Sequence, residues 1–429
     1  MKTKLLCIAT TCAVCAVFAD PNDPQATIVS AGQNMDHVLK IEYTLDEPAI
    51  VTFDVKTNGV SIGGANLKTA TGDFNRLVAA TGSGEKRTIT WKSYESWPDH
   101  TSRKDGEFSV SVTAWATNSP PDYMVVKLIG DDKGSRVFYP SVDWFPGEGG
   151  VTQDAYKTDY LVMRRIPAAG KTFRMGPPPE VTRSVNAVRH LVALTNDFYM
   201  AIFELTQAQY KNVMGKNCSL SYFDSYKGLN ADLANYKNVT TGPVPQTRCS
   251  EFRGTAKSWP ADGHEIAATA ELHTFRTSLK LPTLDLPTEA EWEFACRAGT
   301  TGNRYDGTAD GANPTSGQVP SKTWPPLNPK PVGLLQPNDF GLYDMYGNVA
   351  ELCLDCYVED GSYVSDVDGV TIAPKGPAAD KDGKQVLRVL RGNGYWDGSD
   401  NTQANSWFRG SKERGNNYPA FGYRLVCTF

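Results

Sequence analysis

Histidine is scarce in this sequence, and basic charge is not in excess. Only five histidines occur in 429 residues, and 43 Lys and Arg residues are outnumbered by 48 Asp and Glu residues. The net charge of -5 argues against a nucleic-acid partner, because such partners are bound through basic patches. The histidines are too scattered to predict a non-haem iron site of two histidines and a carboxylate. They are His37, His100, His190, His264 and His273.

Long apolar runs are absent after the first 19 residues, so no membrane span is predicted. At the start of the chain, Lys2 and Lys4 precede an apolar stretch that ends at Phe18, with small residues at the cleavage positions. This pattern predicts a signal peptide over 1–19 and a mature chain that begins at Asp20. We expect an exported protein in the periplasm, at the cell surface or secreted.

Cysteine is absent between the signal peptide and residue 218. All six cysteines beyond the signal peptide lie in the second half, where export favours disulfide bonds. They are Cys218, Cys249, Cys296, Cys353, Cys356 and Cys427. Cys353 and Cys356 form a C-x-x-C motif, but no second pair predicts zinc and no βαβ pattern predicts a thioredoxin-like site. Disulfide bonding is therefore the favoured interpretation, with the pairing left open by the residues themselves.

Length and patterning predict two domains. Residues 25–130 contain several runs in which apolar and polar residues alternate, as in Val51, Phe53 and Val55. This period of two is typical of half-buried antiparallel strands and favours a β-sandwich. The segment 131–155 is rich in Gly, Asp and Pro and is predicted to be a linker.

The sequences at 89–91 and 105–110 resemble the Ig-like domain of flagellar hook-capping and related exported proteins. The resemblance implies an all-β Ig-like sandwich over 25–130. No cluster of titratable residues lies here, so a spacer or adhesion module is expected.

Two helices are predicted in the second domain, 156–429. Thr206 with Gln209, and Thr288 with Glu291, form capping boxes in which each side chain bonds the other residue's backbone N–H. A glycine follows each helix, at 215 and 299, and predicts its end.

Four segments of this domain together resemble the formylglycine-generating enzyme family, also called sulfatase-modifying factors. They read LPTEAEWEFACRAG at 286–299, NDFGLYDMYGNVAE at 338–351, RGNGY at 391–395 and FGYRL at 421–425. The resemblance covers about 156–429 and implies a loop-rich α+β fold of the C-type-lectin-like class.

The family's oxidation of a substrate cysteine implies copper(I) held by two thiolates shortly after an RGGS turn. Thiolate suits copper(I) because both are soft. The corresponding segment here, 392–404, contains no cysteine, and Asp397 and Thr402 stand near the thiolate positions. Copper chemistry is therefore not expected, and no catalytic residue is assigned.

The resemblance also implies a structural Ca²⁺ ion at Asn348 and Glu351, because oxygen ligands suit this hard cation. The alternative is a turn in which both side chains bond only backbone amides. The family further implies a disulfide between the helix and the last strand, for which Cys296 and Cys427 are the preferred pair.

The segment 395–418 is nearly free of aliphatic residues and is predicted to form a recognition surface for a protein, a peptide or a glycan. Aromatic rings supply contact area, and amides supply adaptable hydrogen bonds. The candidate ligand-binding residues are Tyr395, Trp396, Asp397, Asp400, Asn401, Asn405, Trp407, Arg409, Arg414, Asn417 and Tyr418. The alternative is an ordinary polar loop with its tryptophans buried.

Four hypotheses on function follow. The favoured one is an exported ligand-binding protein. The second is an oxidase of protein cysteine with a non-standard metal site. The third is a variable ligand-binding protein of a diversity-generating retroelement, because 405–425 looks similar to the variable stretch of those proteins. The fourth is a structural envelope protein.

Overall fold

The computed structural model describes residues 23–98, 108–181, 187–216, 252–253, 266–308, 331–358, 369–375, 387–394, 403–413 and 421–428. The signal-peptide prediction for 1–19 therefore lies outside the described residues. The chain divides into two compact units, of which the first contains Met1–Val125 and Arg136–Gln153. The second contains Val126–Ser135 and Asp154–Phe429.

The described part of the first unit is built from β-strands, 3-10 turns and the short helix α1 (Ser93–Ser96). Its strands are β1 (Ala26–Gln33), β2 (Val38–Leu45), β3 (Ala49–Thr57), β4 (Val60–Ser61), β5 (Thr71–Gly72), β6 (Arg76–Val78), β7 (Arg87–Lys92), β8 (Phe108–Trp115) and β10 (Arg136–Tyr139). A further strand, β9 (Tyr123–Lys127), runs across the division between the units.

Two antiparallel sheets share the core of the first unit. One has the order β1-β2-β7-β5, and in the other β3 pairs with β4, β6 and β8. The alternating side chains predicted from the sequence meet inside, among them Ile41 from β2 and Val51 and Phe53 from β3. Burial of such side chains removes apolar surface from water and is the main force that holds the sheets together. The Ig-like character of this sandwich stays a prediction.

Most of the predicted linker, 131–155, contains ordered elements. It contains β10, and two short 3-10 turns follow at Val142–Trp144 and Gly150–Thr152. Trp144 and Phe145 are buried, and the Trp144 ring packs edge-on against Phe53 of the sandwich. Glycine and proline here mark tight turns within a folded unit.

The second unit is also mostly β. Its strands are β11 (Tyr160–Ile166), β12 (Lys171–Met175), β13 (His190–Leu194), β14 (Phe198–Ala201), β15 (Ala350–Cys356), β16 (Val370–Ile372), β17 (Leu387–Arg391), β18 (Gly410–Glu413), β19 (Phe421–Gly422) and β20 (Val426–Cys427). Its helices are α2 (Ala155–Thr158), α3 (Gln207–Met214), α4 (Glu271–Leu279) and α5 (Glu289–Arg297). Among the described helices, none has the length and apolar character that crossing a bilayer requires.

Both predicted capping boxes are confirmed, at Thr206 before α3 and at Thr288 before α5. Gly215 ends α3 in the left-handed conformation, as predicted. At the end of α5 the first left-handed residue is Ala298, and Gly299 follows it with a positive φ of 91°. The helix thus ends one residue earlier than the glycine alone suggests.

Strands late in the chain complete sheets that begin much earlier. β20 pairs antiparallel with β14, which itself pairs with β11. β19 pairs parallel with β15, and β17 lies on the other side of β15 and carries β18. This arrangement brings the ends of β15 and β17, helix α5 and the segment 403–413 into one region of the second unit.

Candidate functional site

Helix α5 supplies two buried carboxylates to this region. Glu289 and Glu293 are one turn apart, with exposures of 0% and 1%. Glu293 accepts hydrogen bonds from the Gly176 backbone N–H and the Arg297 guanidinium, at 2.8 and 2.9 Å. Its second oxygen accepts a short hydrogen bond from Arg391. Buried carboxylates need such partners, because an unpaired buried charge is costly.

Arg391 ends β17 and links these carboxylates to the segment 403–413. Its guanidinium donates to the backbone oxygens of Phe408 and Ser406, at 2.6 and 3.1 Å. The same group lies over the Trp292 ring, 5.0 Å from its centroid. One cation therefore fixes the strand, the helix and the returning chain in a single arrangement.

The three described members of the predicted recognition surface are buried, which corrects their assignment as exposed contact residues. Asn405 accepts from the backbone N–H groups of Trp407 and Phe408, at 3.1 and 2.7 Å. Trp407 is 1% exposed and donates its indole N–H to Asn303. Arg409 is 6% exposed and pairs with Glu289. Their polar groups are used to fold the segment, so they hold it in place.

The other candidate ligand-binding residues lie outside the described residues. They are Tyr395, Trp396, Asp397, Asp400, Asn401, Arg414, Asn417 and Tyr418. Their role in binding stays a prediction.

The predicted calcium ligands have protein partners. The Asn348 amide donates to Glu204 at 2.6 Å, and Glu204 also accepts from the Val349 backbone N–H at 3.0 Å. Glu351 accepts from Arg424, and its second oxygen also accepts from the Trp292 indole N–H at 2.6 Å. A cation approaching Glu351 would have to displace a guanidinium that already neutralises it. This donor set therefore does not fit Ca²⁺ as arranged.

Among the described residues, no group of three or more His, Cys, Asp and Glu side chains is placed to hold a metal ion. Burial, followed by the charges of Asp344 and Glu351, raises the pKa of Glu204 well above its ordinary value.

The predicted disulfide between Cys296 and Cys427 is wrong, because the two sulfurs are not bonded to each other and have different neighbours. The Cys296 sulfur lies 3.8 Å from Ser406 Oγ, and the Cys427 sulfur lies 3.8 Å from the Met163 sulfur. Cys353 and Cys356 are also buried and form no disulfide with each other. Cys218 and Cys249 lie outside the described residues.

Cys296 and Cys353 favour the thiol form. Burial raises the pKa of Cys296 to about 12, and burial with the nearby charges of Asp355 and Glu289 raises that of Cys353 well above its usual range. Thiolate is the form that attacks disulfides, and it is disfavoured in such surroundings. These two residues are therefore poor nucleophiles.

Sequence reasoning missed most of the charged interior. It placed Glu291 in a capping box and assigned no role to Glu204, Glu289, Glu293 or Arg391. One local signal was present: Glu289 and Glu293 are four residues apart and therefore share a helix face with buried neighbours. Their arginine partners are roughly a hundred residues away in sequence, at separations of 98 and 120.

A sequence model of the sulfatase-modifying factor enzyme 1-like domain matches residues 162–429. The chain belongs to this family, as its motifs predicted.

Two curated relatives match part of the same domain. Over 120 residues the chain is 37% identical to the formylglycine-generating enzyme of Streptomyces coelicolor, covering 26% of this chain and 35% of that protein. Over 111 residues it is 40% identical to the serine/threonine-protein kinase pkn1 of Chlamydia caviae, covering 26% of this chain and 16% of that protein. The chain thus matches only a minor part of the length of these relatives.

Among solved structures, variable protein 1 of Treponema denticola is similar with a TM-score of 0.43 and 21% identity. The similarity covers 63% of this chain and 96% of that chain.

Proposed function

We propose that this protein is an exported binding protein that recognises a protein, peptide or glycan through the segment 395–418. It does not perform the copper-dependent oxidation of its family. The observation that carries the proposal is the absence of cysteine from 392–404, where the family's copper-binding thiolates are expected. The four described cysteines, being buried with other neighbours, offer no replacement pair.

The surroundings of the segment support this role. Arg391, just before the segment, and Arg409, within it, tie this part of the chain to α5 through buried ion pairs. A loop held at its base pays less conformational entropy on binding than a free one, and rigid scaffolds commonly present binding loops in this way. The contact residues of the proposal are those outside the described part of the chain, with Trp396 and Tyr418 as aromatic anchors.

Two arms test the proposal. In the first, the purified protein is supplied with copper(I) and a cysteine peptide, with the Streptomyces coelicolor relative as positive control. We expect no loss of thiol and no aldehyde by mass spectrometry. Turnover by this protein would establish the oxidase hypothesis instead.

In the second arm, peptide and glycan arrays are probed with the wild-type protein, Trp396→Ala and Tyr94→Ala. Tyr94 is an exposed aromatic residue of the first unit and is the matched control. We expect selective binding that only Trp396→Ala removes. Equal binding by all three proteins would show that 395–418 is not the recognition segment. The structural-protein hypothesis would then be favoured.

The variable-protein hypothesis has its own test. Sequences from several isolates would concentrate their substitutions at 395–418 if it holds, and an even spread would remove it. Export is tested by the N-terminus of the protein recovered from the producing cell, which we expect to be Asp20. The first unit is proposed to be an Ig-like spacer or adhesion module.

A further inference from the structure

The first unit contains a cavity of about 460 Å³ that is separate from the segment 395–418 in sequence and in role. This volume lies in the range of sites that bind small molecules. Its walls come from the turn Gly64–Leu67, the chain from Thr71 to Arg76, strand β10 and the turn that contains Trp144. All of these belong to the same compact unit.

Aromatic rings line one part of the cavity. Phe74, Tyr139 and Trp144 contribute to the wall, and Phe53 lies beneath them. The Phe53 ring centroid is 4.8 Å from that of Phe74 and 6.4 Å from that of Trp144, both in edge-on geometry. These rings are already ordered in the folded protein, so they form an apolar surface that loses little conformational entropy when a ligand binds.

Positive charge lines another part. Lys68, Arg76 and Arg136 are lining residues, and the described lining includes no Asp or Glu. Arg76 pairs with Asp73 at 2.7 Å on the solvent side, whereas Lys68 has no ion-pair partner among the described residues. The cavity therefore favours an anion, chiefly through Lys68.

Asn75 adds a buried acceptor to the lining. Its side-chain Oδ1 has no hydrogen-bond partner among the described residues. Its backbone is fixed on both sides, because its N–H donates to Val51 and its oxygen accepts from Phe138 at 2.9 Å. The residue is held at a φ of 53°, in the left-handed region. A buried acceptor without a donor is unfavourable by itself, so a rotation of the Asn75 side chain that brings Oδ1 to a ligand hydroxyl would relieve it.

We propose that this cavity binds an acidic sugar, a uronic acid unit of a glycan. Such a unit carries a carboxylate for Lys68 and the arginines and a hydroxyl that donates to Asn75 Oδ1. It also has an apolar C–H face for Phe74 and Trp144. A neutral sugar lacks the carboxylate, and a simple aromatic acid lacks the hydroxyl.

The test is calorimetric titration of the full chain with digalacturonate, and with galactobiose as the neutral counterpart. We expect digalacturonate to bind and galactobiose to bind at least about tenfold more weakly, with an affinity for digalacturonate that falls as salt is added. Trp144 lines the cavity, so its fluorescence provides a second readout.

Three variants localise the binding. Asn75→Gly removes the acceptor, and glycine accepts a positive φ without strain, so the fold is retained. It should weaken digalacturonate binding about fivefold, the loss of one hydrogen bond. Lys68→Gln should weaken binding and reduce its salt dependence. Lys40→Gln removes the same charge from a residue that pairs with Glu42 outside the cavity, and should leave binding unchanged.

Several results would overturn the proposal. They are no binding of digalacturonate at millimolar concentration, equal binding of galactobiose, or the same loss from Lys40→Gln as from Lys68→Gln. Preferential binding of a peptide that ends in an aromatic residue and a free carboxylate would also overturn it, because the ligand would then be a peptide and not a sugar.

Discussion

The Glu289 carboxylate and the Arg409 guanidinium meet through two hydrogen bonds, Nε to Oε1 at 2.6 Å and Nη2 to Oε2 at 2.9 Å. Both side chains are buried, and 120 residues separate them in the sequence. Two parallel bonds between a planar guanidinium and a carboxylate fix orientation as well as distance. The pair therefore sets where the chain returns after the segment 395–402.

Arg409→Met should lower the free energy of unfolding by about 3–5 kcal/mol, because it leaves the Glu289 charge buried without its main partner. Urea denaturation of the purified protein measures the change. Lys127→Met is the matched control: its partner Asp132 has a side chain that is 60% exposed, so little stability should be lost. Equal losses of unfolding free energy in the two variants would show that the buried pair stabilises the protein no more than the exposed pair does.

Asp355 should make the protein less stable as the pH rises. Burial, and then the charge of Glu289, raises the pKa of Asp355 from 3.8 to about 8. Between these values the folded protein keeps a proton that the unfolded chain has released, so stability falls by up to about 1.4 kcal/mol for each pH unit. The stabilising contribution is complete below 3.8 and is lost as the pH approaches about 8.

Asp355→Asn tests this pH dependence, since the amide oxygen still accepts from the Glu289 backbone N–H, as Asp355 does at 2.7 Å. Urea midpoints measured from pH 5 to pH 8 should decline less steeply in this variant than in the wild type. Asp132→Asn is the control, because Lys127 lowers the pKa of Asp132 and keeps it ionised in that range. An unchanged slope in Asp355→Asn would remove Asp355 as its source.

The four described cysteines should react slowly with iodoacetamide in the folded protein and quickly after unfolding. They are buried, and burial raises the pKa of Cys296 to about 12, which leaves almost no thiolate at neutral pH. Peptide mapping without reductant assigns the label to each cysteine. A disulfide-linked peptide that joins Cys296 to Cys427 would contradict the structure.

Removal of calcium should leave the thermal midpoint unchanged. Both oxygens of Glu351 accept hydrogen bonds from Arg424, and one also accepts from Trp292. The measurement is a thermal melt after dialysis against a chelator, repeated with calcium restored and with magnesium as the control ion. A midpoint that rises with calcium alone, and not in Asn348→Ala, would reinstate the calcium site predicted from the sequence.

The sequence predicted the parts of the fold that depend on nearby residues. The capping boxes at Thr206 and Thr288 need only a partner three residues away, and both formed. Alternation in β2 and β3 identified core residues such as Ile41 and Val51, because the two faces of a strand have period two. The same alternation occurs in β8, but most of its residues are only partly buried, because burial depends also on what packs over the sheet.

Long-range relationships could not be predicted in the same way. Nothing near Arg409 indicates that its partner is Glu289, so the residue was assigned to a binding surface. The wrong disulfide has a similar cause: Cys296 and Cys427 were paired by family likeness, while the direction of each side chain depends on the packing of α5 and β20. Family motifs predicted the domain and its extent, but not these side-chain partners.

The sheets of the second unit are completed only by strands near the end of the chain, β19 and β20. They lie within residues 421–427 and close onto β15 and β14, the second of which begins at Phe198. During synthesis, neither sheet can acquire these strands until the ribosome has passed residue 427. Until then β14 and β15 present bare backbone edges, which invite pairing with other chains, so a premature stop shortly before Phe421 should yield aggregates and not a smaller folded protein.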